Sequence, residues 1–262
     1  MNIRVAGSFL MLLLPLLVVG QKKIKSVAVS DEIIFATVDR PGDLYIITKG
    51  GQIQKFDKDG KLLSLYKNAP APTLFDPRDG ARLFAYFHSD QHYSFLNPSF
   101  EVTRSNKIDP STAIDPLLMC VSGDHNFWIL DGADISLKRV NGATGVVDVD
   151  IRIDDKASEA TAFTHMREYQ GFLFLSHKEK GILIFNSLGK WLKTIELPAL
   201  ANFNFLGEEL YYSDKGVVKF FNLFTAEKRD MPMIQAGRFV LLTDERQFYV
   251  QPGSIDFFET NP

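Results

Sequence analysis

The stretch Gly42-Asp43-Leu44-Tyr45-Ile46 returns as Gly171-Phe172-Leu173-Phe174-Leu175, and the match continues without gaps at the same offset of 129 residues. Ile53 meets Ile182, Phe56 meets Phe185, Asp57 meets Asn186, Gly60 meets Gly189 and Lys61 meets Lys190. Since 129 is three periods of 43, further copies are expected between and beyond these two. Hydrophobic-aromatic pairs mark six of them: Leu44-Tyr45, Leu83-Phe84, Phe127-Trp128, Leu173-Phe174, Leu210-Tyr211 and Phe248-Tyr249, spaced 37 to 46 residues apart. After each pair come a short polar loop and then one large apolar residue: Phe56, Phe95, Val140, Phe185, Phe221 and Phe258. An acidic or amide residue follows at Asp57, Asn141, Asn186, Asn222 and Glu259, with Leu96 as the exception. Turn chemistry comes next, at Asp59-Gly60, Asn97-Pro98, Asn141-Gly142 and Leu188-Gly189; Asp-Gly and Asn-Gly supply the positive φ of tight hairpins.

The segments between turns are short and rich in β-branched and aromatic residues, and no long stretch shows helical periodicity. Residues 158–169, the most helix-like piece, read as an inner strand with its loop. Six four-stranded antiparallel units at this spacing predict an all-β fold, a six-bladed β-propeller. A lone four-stranded sheet exposes apolar side chains on both faces, and stacking blades around an axis buries both. The pairs and the Phe series are therefore expected between blades. The last copy has three strands, over 239–244, 247–251 and 255–259, while one spare strand, Ile24–Val29, precedes the inner strand Ile33–Val38. The spare strand is expected to complete the last blade and remove its open edges.

Over residues 24–262 the chain resembles the six-bladed propeller superfamily of NHL-repeat and TolB-like proteins, most closely in the run Gly42 to Lys61. The Trp-Asp signature of WD40 blades is missing, and Ser187-Leu188-Gly189-Lys190-Trp191 lacks the Asp of the sialidase box. The resemblance implies a fold shared by lactonases, dehydrogenases, sugar binders and scaffolds, so the fold does not select a function.

The N-terminus points to export. Arg4 precedes an apolar run from Phe9 to Val19, and Val18 and Gly20 stand at −3 and −1 of a cut before Gln21. A secretory signal peptide over residues 1–20 is expected, with residues 21–262 as one propeller domain, periplasmic in a Gram-negative cell and otherwise secreted. The run is short for a membrane span, and no cysteine follows it to take a lipid anchor. Removing Arg4 moves the net charge from −3 to −4. With no basic stripe, a nucleic-acid partner is not expected. The single cysteine, Cys120, excludes an intramolecular disulfide and sits in an apolar run as a small buried hydrophobe.

No Gly-x-Ser-x-Gly, phosphate loop, His-Glu-x-x-His or cysteine cluster is present, so no cofactor and no metal ligand is assigned. Asp57-Lys58-Asp59-Gly60 reads as a plain turn, since a calcium loop would need a downstream acid. The loops joining second to third strands carry His88, Asp90, His92, Asp131, Asp134, His177 and Asp214. Loops of one kind emerge at one end of a propeller, so these residues are the candidate binding set. The leading expectation is a binding or scaffold protein of the cell envelope that presents this end to a protein or polar ligand. The alternative is a metal-dependent hydrolase of lactonase type, with an axial site drawn from Asp31, Glu32, Asp76, Glu159, Asn202 and Asn204.

Overall fold

A computed structural model describes residues 22–67, 70–78, 80–153, 159–197, 200 and 202–260. The expected signal peptide and the cut before Gln21 lie outside the described residues. The chain forms six four-stranded antiparallel sheets arranged as the blades of a propeller. The inner strands of blades 1 to 6 are Ile33–Val38, Leu74–Asp76, Pro116–Val121, Phe163–Tyr169, Asn204–Leu206 and Phe239–Leu242. Short 3₁₀ turns occur at His88–Asp90 and Ala160–Ala162; among the described residues no helix is long and apolar enough to cross a membrane.

Each hairpin from third to outer strand is tied by one side chain. The Asp57 carboxylate accepts the N–H of Asp59 and Lys61 at 3.0 and 2.8 Å. The Asn186 amide oxygen does the same for Leu188 and Lys190, and Asn141 and Asn222 hold their turns alike. This local bond is why an acid or amide recurs at that point. In blade 2 the residue is Asn97, which accepts from Ser99 and Glu101. Leu96, not Phe95, is the counterpart of Phe56, because Leu96 pairs with Leu83 as Phe56 pairs with Leu44. The apparent exception is a one-residue misalignment, and blade 6 holds another: Phe258 lies opposite Gln247 and Phe248 opposite Phe257, so Gln247-Phe248, not Phe248-Tyr249, is the counterpart of Leu44-Tyr45. In blade 3 the positive φ falls on Gly145 rather than Gly142. Blade 6 carries Glu259 there because it has no hairpin to tie: Glu259 N–H donates instead to the Lys22 carbonyl, on the strand from the other end of the chain.

That strand, Lys23–Ala28, pairs antiparallel with Ser254–Glu259, in register from Lys25 opposite Phe257 to Ala28 opposite Ser254. The propeller is thus closed by its N-terminal strand. All twelve residues of the six hydrophobic-aromatic pairs are at most 4% exposed. The buried clusters bridge every neighbouring pair of blades: one joins blades 2, 3 and 4, and others join 4 to 5, 5 to 6, 6 to 1 and 1 to 2.

Candidate functional site

Six inner strands converge on the axis. Because strand side chains alternate, every second residue of an inner strand can point inward. Halfway along, Phe35, His165 and Phe203 plug the axis, with His165 5.7 Å from Phe35 and 5.5 Å from Phe203 by ring centroids. Burial, then the neighbouring Arg167, pushes the His165 pKa down to about 4 against a small opposing pull from Asp76, so the ring is neutral at physiological pH.

On one side of this plug lies a cavity of about 750 Å³, lined by first-to-second-strand loops of all six blades. At its base Arg167 donates to the Asn204 side-chain oxygen at 2.9 Å and lies 3.6 Å from the Asp76 carboxylate. Arg78 grips the same carboxylate through Nε and Nη2 at 3.2 and 3.1 Å, and Nη2 also donates to the carbonyls of Val121 and Glu168. Burial works against the Asp76 charge, but Arg167 and Arg78 overcome it and hold its pKa below the usual carboxylate range. The Glu168 carboxylate accepts the N–H groups of Gly123 and Gly171. Asp39 accepts from the N–H of Gly42 and Asp43 and from the Tyr45 hydroxyl. Burial of Asp39 pushes its pKa up against those bonds. Arg40, Asp244 and Glu245 stand exposed at the mouth.

The loop residues expected from the sequence lie at the other end of the axis, since hairpins from second to third strand reverse there. His88 Nε2 is 3.0 Å from Asp115, and His92 Nδ1 is 2.8 Å from Asp90, its ring stacked on Phe87 at 4.5 Å. Asp131 is 1% exposed and accepts the N–H groups of Ile114, Asp115 and Ala133 and the Lys138 ammonium at 2.8 Å. Asp134 accepts the Ser136 hydroxyl. His177 is buried, and its Nδ1 accepts the N–H of Glu179 and Lys180. Asp214 is 3.5 Å from Lys219. The structure links His88 to Asp131 through Asp115, and Asp90 to His92. His177 and Asp214 each stay within their own blades in these contacts. Asp131 and His177 shape their loops from within.

Among the described residues no three His, Cys, Asp or Glu side chains gather as metal ligands. Of the six residues considered for an axial metal, Asp76, Asn202 and Asn204 reach the axis. Arg167 spans Asp76 and Asn204, and Asn202 donates to the Ala36 carbonyl. A guanidinium therefore stands between two acceptors that a metal would have needed. Asp31 instead accepts the N–H of Gly50, Glu32 pairs with Arg238, and Glu159 accepts from Thr161.

Arg78, Arg167 and Glu168 escaped the reading of the sequence. A signal existed for Arg167: His165, Arg167 and Tyr169 put polar or charged groups at alternate positions of an inner strand, and Asn202 and Asn204 alternate likewise just before and at the start of the next one. Nothing local marks Arg78, which follows the short inner strand Leu74–Asp76.

No protein-family model and no curated protein matches the sequence. Solved structures do match it. The chain is similar to the Pan2 WD40 domain of Neurospora crassa at 9% identity, over 92% of this chain and 96% of that one, with a TM-score of 0.63. It is similar to a streptogramin B lyase at 12% identity, over 92% and 87%, with a TM-score of 0.55. A catalytically inactive virginiamycin B lyase of Staphylococcus aureus matches at 11% identity, over 87% and 80%, with a TM-score of 0.54. At such identities the likeness is one of fold, and the fold is the propeller.

The Asp131 network yields a pH prediction. Burial opposes its charge, but Lys138 and three backbone N–H groups hold its pKa below the usual value. A depressed carboxylate stabilises the fold above its unfolded pKa of about 4, and that contribution fades as pH falls through the folded pKa. Asp131→Asn should cost about 1–3 kcal/mol at pH 7. Urea melts from pH 7 to 2 should show the gap between variant and wild type shrinking below about pH 4. A constant gap would refute the assignment.

Proposed function

We propose that this protein is an exported binding protein of the cell envelope that receives a polar ligand, free or carried by a partner protein, in the axial cavity. The observation that carries the reading is the cavity itself: one concavity lined by all six blades, its inner polar groups held in place by buried and part-buried hydrogen bonds. Such preorganisation lowers the ordering cost of binding. Binding is favoured over catalysis because the candidate bases are already engaged. Asp76 is clamped by two arginines, Glu168 accepts two backbone N–H groups, and His165 sits neutral in an aromatic plug. The opposite-end loops remain the competing face, with His88, Asp90, His92 and Asp214 the members less bound up in the core.

The test is to incubate the purified protein with a polar small-molecule extract, filter it, and identify retained compounds by mass spectrometry. Bulky changes at the mouth, Arg40→Trp and Asp244→Trp, should abolish retention while leaving the melting curve unchanged. His88→Ala and Asp214→Ala should retain the same compounds. The reverse pattern would move the site to the other end.

A further inference from the structure

We propose that the floor of the axial cavity holds an anionic group, a carboxylate or a phosphate. This rests on reading the cavity as the binding site and names the class of its ligand. Net charge does not decide it, because the lining carries Arg40, Lys58, Arg78 and Arg167 against Asp39, Glu168, Asp244 and Glu245. The difference lies in how far each group is already satisfied.

Three of the four acids are engaged. Asp39 and Glu168 accept the backbone and hydroxyl donors described above, and Glu245 pairs with Lys58. Asp244 is exposed at the mouth, away from the floor. The arginines are not matched in the same way. A guanidinium offers five N–H donors in a fixed fork. Arg167 makes one hydrogen bond among the described residues, from Nη1 to Asn204; its Nη2 is 3.6 Å from Asp76, and its Nε is buried without a partner. Yet its side chain is only 13% exposed, so water has little access to meet that deficit. Arg78 commits Nε and Nη2, while the partner of its Nη1 among the described residues is Glu168 at 4.0 Å. Arg40, whose backbone N–H donates to the Arg78 carbonyl, has an exposed side chain with no hydrogen bond or ion pair among the described residues.

Two guanidiniums therefore close on the Asp76 carboxylate, with Glu168 4.0 Å from Arg78, and leave donors without a close acceptor at the base of a cavity. Buried donors without acceptors are costly, and planar guanidinium forks match the paired oxygens of carboxylate and phosphate. An anion entering from the mouth meets Arg40 and then the Arg78–Arg167 floor.

The experiment titrates the protein with sodium succinate and, separately, inorganic phosphate, at ionic strength held constant with chloride. Binding is followed by the arginine Nε–H resonances in NMR. Saturable shifts are expected with at least one anion, and which one distinguishes carboxylate from phosphate. Arg167→Gln should weaken binding about tenfold or more, as loss of a charge-assisted bond implies. Arg40→Gln should weaken it about threefold, as expected for a solvent-screened charge. Lys190→Gln, in an outer hairpin, should change nothing. Should Arg167→Gln fail to fold, Arg167→Lys and Arg40→Gln carry the comparison. Absence of saturable shifts with both anions, or unchanged affinity in the arginine variants, overturns the proposal. Mouth-dependent retention of a neutral compound, with neither anion binding, would leave the cavity as the site and overturn the anion alone.

Discussion

Deleting residues 22–28 is expected to abolish cooperative unfolding. The strand is exposed along much of its length, so its weight does not come from burying its own side chains alone. It covers the open edge of Ser254–Glu259 and adds Ile24 and Val27 to the cluster that holds Ile255 and Phe257, in which blades 1 and 6 meet. Lys22 pairs with Glu259, Lys23 with Asp256, and Lys25 reaches the Gly60 carbonyl in the next blade. Without the strand, the last blade is left with three strands and an unpaired edge beside apolar side chains, a template for aggregation. The ring also loses the covalent route by which its two ends are held together. Urea unfolding by circular dichroism should become broad, and light scattering should rise at micromolar protein. A truncated protein that melts with the midpoint and steepness of the full chain would show that closure is dispensable.

Phe56→Ala is expected to cost about 3–5 kcal/mol, the range for truncating a fully packed aromatic side chain. Phe56 is 3% exposed, pairs across its hairpin with Leu44, and packs edge-on to Phe257 at 6.4 Å. Phe56 belongs to blade 1 and Phe257 to blade 6, so the cavity left by the alanine would open at the seam between the first and last parts of the chain. The surrounding sheets are fixed by their own ladders and can collapse little into the gap. Chemical denaturation should show a lower midpoint with an unchanged slope. A loss below about 1 kcal/mol would mean that the site relaxes or that Phe56 contributes little to the seam. A changed slope would point instead to a ring that no longer unfolds as one unit.

The repeat was legible because a blade must bury both faces. That need imposes Leu44-Tyr45 and its counterparts in blades 2 to 5 at nearly even spacing, and a local side-chain bond imposes Asp57 or Asn186 at the hairpin. Where the reading slipped, it slipped by one residue. Phe95 and Leu96 are both buried and apolar, and only the pairing of Leu96 with Leu83 decides the register. In blade 6 the counterpart pair is Gln247-Phe248, one residue before Phe248-Tyr249, a shift the sequence hides because polar Gln247 breaks the apolar pattern.

The candidate site was legible in smaller part. Asp131 and His177 look like ligands in a list of loop residues, yet tertiary packing turns both inward to hold backbone N–H groups. Arg78 and Arg167 were invisible as a pair. They are about ninety residues apart, on different blades, and become neighbours only because both close on Asp76.

What the sequence by itself determined is the number of blades, the hairpins and the terminal strand that closes the ring, since each is written in local pattern: apolar pairs, turn residues and a strand count. What only the tertiary structure decided is which side chains share the axis. Six strands from distant parts of the chain meet there. Their register sets which alternate residues point inward, and contacts between residues far apart in sequence leave no periodic mark to read.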